Sequence, residues 1–249
     1  MRCSPGSESL SYRNTHPSEL TMRTTNTVDL RMVVVIAVAL ALGAAMRYPG
    51  GTPLSPSSSG YSPTQNFLSD LGMTVAYNGQ PNALGAALFA FSLLLLVAVF
   101  GRSTFGFVRQ YVAVAQARRW AIAGGLLIPL AGLAFAGVAV TPENRVMALH
   151  TDFTLLAWRV FALATVLLGV ASLQADRLSR HRTVAWGILA VALSGYVTYL
   201  AVGPNVTTVD GLRRQVLAQK IIAVIALAIL IYLNLDQHSR RPQRDDRKY

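Results

Sequence analysis

Six apolar runs, at about residues 32–48, 83–101, 119–140, 148–173, 183–202 and 215–235, set the strongest limit on what this chain can become. Most of them reach the roughly 20 residues that an α-helix needs to cross a hydrocarbon layer about 30 Å thick. The expectation is an all-α integral membrane bundle of six transmembrane helices over residues 31–236. A disordered, Ser/Thr/Arg-rich tail (1–30) precedes it and a basic tail (237–249) follows. With 53% of residues hydrophobic and 13% charged, the chain is far from the balance of a soluble domain. The formal charge of +11 points to no nucleic-acid partner, because the basic residues flank the apolar runs and form no basic domain of their own. The single cysteine, Cys3, excludes an internal disulfide and a cysteine-based metal cluster.

The first run, from Met32 to Met46, admits two readings. Arg23 and Arg31 before it and small residues at its end fit a cleavable signal peptide, with Met22 and Met32 as alternative starts. Arg31 and Arg47, able to snorkel at its two ends, and Tyr48 at headgroup level favour a short spanning helix. Lys and Arg then set the orientation. Of 22 basic residues, 16 fall in the N-terminal tail, the second and fourth loops and the C-terminal tail. The remaining six are Arg47, Arg145, Arg159, Arg213, Arg214 and Lys220. The positive-inside rule therefore puts both termini in the cytoplasm and makes the chain a multi-pass protein of the cell membrane.

In that topology loop one (about 49–82), loop three (about 141–147) and loop five (about 203–214) face outward and carry most of the notable polar residues. In loop one, Thr64 can cap a short interfacial helix, with Phe67, Leu68 and Leu71 as its apolar stripe and Gly72 as its end. The other face of that helix presents Asn66 and Asp70, four residues apart and so adjacent, with Ser69 beside them. Loop three, Thr-Pro-Glu-Asn-Arg, is too short to leave the membrane surface. It leads into the fourth helix, which carries His150 and Asp152 in its first turns and places Glu143 and His150 near loop one.

These pieces resemble a prokaryotic membrane family known as domain of unknown function 998. The likeness rests on Asn-Phe-Leu-Ser-Asp-Leu-Gly at 66–72, Asn-Gly-Gln-Pro-Asn at 78–82, Thr-Pro-Glu-Asn followed by His150, and Gln219–Lys220 in the last helix. Together these span about residues 32–235. The resemblance implies a compact multi-spanning bundle and assigns no activity.

Arg159 is the least expected residue, because 14 apolar residues from Val160 to Leu173 separate it from the cytoplasmic boundary. A charge at such depth costs about 2.5–3.5 kcal/mol on insertion scales and normally faces the bundle interior or a wet cavity. Arg159 is expected to reach outward toward Asp152, two turns earlier, as a structural ion pair or as a ligand-binding arginine.

The N-termini of the second, fourth and sixth helices, together with Arg213, Arg214 and Lys220, favour anions. They suit an outer-leaflet lipid phosphate, or they simply anchor the helices at headgroup level. Three functional readings follow. The first is a polar outward-facing vestibule formed by Asn66, Ser69, Asp70, Glu143, His150, Asp152 and Arg159 that binds a lipid or small amphiphile. The second is an intramembrane lipid hydrolase or transferase using Asp70 and His150. The third is a small-molecule transporter, for which polar groups at midplane on several helices would be needed.

One histidine in the membrane part is too few for a haem or zinc site, so no cofactor or metal is expected. Pro129 is expected to kink the third helix. Gly125, Gly132 and Gly137, with Gly85 and Ala86, are expected to permit close helix packing. Asn205-Val206-Thr207 is a glycosylation triplet of low specificity.

Overall fold

The computed structural model describes residues 30–175 and 180–239, so the two tails that the sequence sets apart lie almost wholly outside the described residues. The described chain is a helical bundle with one small sheet. Helix α1 spans Leu30–Arg47, α2 Ala83–Val112, α3 Arg118–Val140, α4 Glu143–Gln174, α5 Arg180–Val202 and α6 Val209–Ser239. Between α1 and α2 lie strands β1 (Gly50–Thr52) and β2 (Ser55–Ser59) and a single 3-10 turn at Ser69–Gly72. Among the described residues five helices, α2 to α6, are long and apolar enough to cross a membrane.

Burial is arranged for lipid outside and close packing inside. Large apolar side chains such as Phe105, Leu126 and Val191 point outward, while Ala121, Ala157, Ala164 and Ala171 are fully buried. Lipid tails are as apolar as leucine, so helices in a bilayer associate through van der Waals fit, and small residues let the backbones approach. An added Cβ at Gly137 would stand 2.5 Å from the Phe153 ring, and one at Gly124 would stand 2.9 Å from Leu168. Gly125 and Gly132 likewise meet Val108 and Val97 on α2, the packing role expected of them. Edge-to-face aromatic pairs fill the larger gaps, with Phe107 against Trp186 at 5.6 Å and Trp158 against both Phe135 (5.2 Å) and Tyr196 (5.1 Å). Each such pair contributes about 0.5–1.5 kcal/mol beyond its buried area.

Pro129 sits inside α3 without ending it. The break in helical geometry falls in α4 instead, at Val146 (φ −139°, ψ 54°). Pro142, whose ring fixes φ, starts a first turn in which its carbonyl accepts from Arg145 N (2.9 Å) and Val146 N (3.1 Å). That turn, offset from the rest of α4, carries Glu143, Asn144 and Arg145 over the same end of the bundle as β1 and β2.

Candidate functional site

The segment between α1 and α2 folds into a cap. Gly50 (φ +136°) and Gly51 (φ +85°) make a backbone path that side-chain-bearing residues rarely adopt. They also admit close neighbours, since a Cβ on Gly51 would lie 2.5 Å from Asn78 N. Against this hairpin packs Asn66, fully buried, whose Oδ1 accepts from Ser62 N at 2.9 Å. Its Nδ2 donates to the Gly51 carbonyl at 3.0 Å and to Asp70 Oδ2 at 2.9 Å.

Asn66 and Asp70 are therefore partners, as their spacing suggests, but not on a capped helix running from Thr64. Thr64 lies in a turn, and only Ser69–Gly72 is helical, as a 3-10 turn with no side-chain cap. The reason is local. Asn66 and Asp70 spend their polar atoms on nearby backbone, a competition that disfavours a regular helix.

Asp70 Oδ2 also accepts from Phe67 N at 3.0 Å, whereas the buried Oδ1 has no hydrogen-bond partner. Burial, and then the charge of Glu143, push the Asp70 carboxyl up to about 8, against the opposing pull of Asn66, Phe67 N–H and Lys220. The carboxyl is thus mainly protonated at neutral pH. Because Oδ2 is already an acceptor twice over, the proton belongs on Oδ1.

The cap is docked on α6, 151 residues away, where Leu68 N donates to Gln219 Oε1 at 2.8 Å. Lys220 Nζ donates to the Asn66 carbonyl and lies 5.3 Å from the centroid of the Tyr61 ring. Tyr61 in turn donates toward the Asn66 and Phe67 carbonyls, both at 3.3 Å, and stacks edge-on with Tyr48 at 6.0 Å. Burial, reinforced by Asp70, pushes the Tyr48 phenol up to about 12 and those of Tyr61 and Tyr77 higher still, so all three remain hydrogen-bond donors.

Loop three closes the other side. Tyr77 hydrogen-bonds the Glu143 carboxylate through its side chain, Asn144 Oδ1 accepts from Thr74 N at 2.9 Å, and Arg145 Nε donates to Thr74 Oγ1 at 2.9 Å. His150, buried, sets Nδ1 2.6 Å from the Thr141 carbonyl. A carbonyl only accepts, so Nδ1 carries a proton. Nε2 lies 4.0 Å from Glu143 Oε2 and makes no hydrogen bond.

The structure thus brings together Asn66, Asp70, Glu143 and His150, with Ser69 half-buried at the margin. Asp152 and Arg159 are not part of the cluster. Both are exposed on the outer face of α4, in register with Leu156 and Leu163, and among the described residues no ion pair joins them. Two helical turns separate them by about 10 Å of rise, too far for an arginine that starts on the same face. The inward face of α4 is already filled by Ala157, Trp158, Ala162 and Thr165.

Several members of the cluster escape sequence reasoning, among them Tyr48, Tyr61 and Tyr77. Lys220 enters it as a donor to loop one rather than as part of an anion-attracting rim. Asn82 is another addition. Its Nδ2 donates to the Leu71 (3.2 Å) and Met73 (2.8 Å) carbonyls at the foot of the cap, and its buried Oδ1 is unpartnered. The usable signals were a lone lysine in the last apolar run and an asparagine opening α2.

Chemically, the cluster presents buried polar atoms without a hydrogen-bond partner at Asp70 Oδ1, Asn82 Oδ1 and His150 Nε2. Among the described residues no group of three His, Cys, Asp or Glu side chains is placed to hold a metal ion. No protein-family model matches the chain, and neither the curated proteins nor the solved structures contain a significant match.

Proposed function

We propose that this chain crosses the cell membrane six times, α1 joining the five longer spans, with both termini cytoplasmic and the cap outside. We further propose that the capped end receives the polar headgroup of a lipid or small amphiphile. The observation that carries this reading is the buried, unpartnered polar edge beneath the cap, at Asp70 Oδ1, Asn82 Oδ1 and His150 Nε2. Buried polar atoms left without partners are costly, and Asn82 Oδ1, which can only accept, together with the Asp70 carboxyl fits a ligand bearing a hydroxyl or ammonium group. A phosphate on such a headgroup is better placed at the exposed Arg47, Arg213 and Arg214 than beside the carboxyls of Asp70 and Glu143. The motifs that resemble the domain-of-unknown-function-998 family are the same segments that build the cap, and we extend the proposal to that kinship.

Native mass spectrometry of the protein in gentle detergent tests the site. Wild type is expected to retain an amphiphile that Asp70→Ala loses while remaining folded. Absence of a retained amphiphile in either form refutes the reading and leaves a structural polar network. Topology is read separately, on a Cys3→Ser background. A cysteine at Ser57 should react with a membrane-impermeant thiol reagent on intact cells, and one at Ala115 only after permeabilisation.

A further inference from the structure

At the end of the bundle opposite the cap, the turn between α2 and α3 and the last turn of α4 border an open cavity of about 490 Å³ lined by Ala115, Gln116, Arg118, Arg119, Ile122 and Gln174. Its volume lies in the range of ordinary small-ligand sites. Its walls are held. Arg118 Nε donates to the Val112 carbonyl at 3.1 Å, which ties that guanidinium to the end of α2 and leaves its two terminal amino groups without a partner among the described residues. Arg119 lies with its guanidinium carbon 4.8 Å from the Trp120 ring centroid. Gln174, in the amide orientation that satisfies both neighbours, donates to the Gln116 carbonyl and accepts from Trp120 Nε1 at 3.2 Å, pinning the end of α4 to the turn.

Among the described residues that line the cavity, the charged ones are both arginines. Among the described residues neither arginine has a carboxylate partner. The N-terminus of α3 adds about half a positive charge, and the C-terminus of α4 about half a negative one, so two full guanidinium charges decide the balance. Below the cationic rim the lining turns apolar. Ile122 begins a stripe that continues along α3 through Leu126, Leu130 and Leu133, all exposed and spaced three or four residues apart.

The geometry points to a binding site for one phospholipid, its anionic headgroup phosphate held by Arg118 and Arg119 and an acyl chain laid along Ile122 and Leu126. Guanidinium pairs suit phosphate oxygens, and their stems and the stripe suit hydrocarbon. A free phosphate ion would use only half of these features. With the orientation proposed above, the lipid belongs to the cytoplasmic leaflet, whose anionic lipids a cationic site attracts. The site is separate from the capped end, and its occupancy does not depend on what the cap receives.

The test is lipid titration of the full-length protein by native mass spectrometry, with phosphatidylglycerol, phosphatidylcholine and inorganic phosphate as probes. Wild type should keep one phosphatidylglycerol per chain under activation that strips phosphatidylcholine. Arg118→Gln with Arg119→Gln should weaken that binding about tenfold or more, the loss of two charge-assisted contacts. Ile122→Trp, which fills the cavity and keeps both charges, should displace the lipid as well. Arg102→Gln with Arg109→Gln, exposed arginines on α2 nearer that end, should leave it bound. Equal retention in the Arg118/Arg119 variant or in Ile122→Trp overturns the proposal, as does equal loss in the Arg102/Arg109 control. Protection by inorganic phosphate as strong as that by the lipid overturns the lipid assignment.

Discussion

Replacing Asp70 by asparagine should change how stability depends on pH more than it changes stability itself. The Asp70 carboxyl is pushed from an ordinary 3.8 up to about 8 by burial and by Glu143. A raised folded-state value means that the folded protein holds the proton where the unfolded chain has released it. Stability from this group is therefore complete below about pH 4 and falls as pH rises toward about 8, beyond which it is flat. Each pH unit in that window is worth about 1.4 kcal/mol, so from pH 5 to pH 7 wild type should lose about 3 kcal/mol. For a chain of this size that is a fall in Tm of about 6–12 °C.

Asparagine keeps an oxygen to accept from Asn66 and Phe67 and cannot ionise, so its curve should lack this component. The difference between the two proteins cancels titration of groups that do not interact with Asp70. The assay is thermal unfolding in detergent at half-unit pH steps, monitored by intrinsic tryptophan fluorescence. Parallel curves for wild type and Asp70→Asn would refute the argument, because they would mean that Asp70 is either solvated or fully neutralised by Lys220 in the folded protein.

The cap and the bundle make further expectations. Gly85→Ala places a Cβ 2.1 Å from Asn82 Oδ1 and must displace that side chain from the Leu71 and Met73 carbonyls. A loss of about 1–3 kcal/mol, read as a lowered thermal transition, is expected for such overpacking. Lys220→Met removes the donor to the Asn66 carbonyl, and hydrogen exchange at residues 61–72 should quicken at least several-fold while α3 and α4 keep their protection. Arg159→Leu should leave the pH profile and thermal stability of the folded protein near those of wild type, and should ease insertion of α4 by about 2.5–3.5 kcal/mol in a translocon assay. A collapse of the cap in that variant would contradict the outward placement of Arg159.

Length and apolarity were enough to place the bundle, because a bilayer demands both and no soluble fold reproduces them five times over in one chain. The neighbourhood of loops one and three was also legible, since a connection as short as Thr141–Pro142 leaves Glu143 nowhere else to go. Which face of each helix turns inward was not. Lipid and helix interior are both apolar, so α4 shows no polar stripe to mark its outside, and Arg159 read as a buried charge although it is exposed. The hairpin escaped for a different reason. Gly-Gly-Thr-Pro-Leu-Ser-Pro-Ser-Ser-Ser-Gly has neither β-branched alternation nor aromatic pairs, and its strands form because Asn66 and Asn78 seat the two glycines. The acid–base cluster lay half hidden. Asn66 and Asp70 announced themselves by spacing, but Gln219 and Lys220 join them only through contacts more than 150 residues long.

Those contacts impose an order on biosynthesis. A ribosome delivers α1 first and α6 last, and the loop after α1 has its docking partners only when the sixth helix has arrived. Until then Asn66 lacks Lys220 and Leu68 lacks Gln219, so the loop must wait, unanchored, through the synthesis of four helices. A chain truncated or misinserted before residue 219 leaves that loop open to the proteases of its compartment. Closure of the cap is in effect a report that the last helix has taken its place in the bundle.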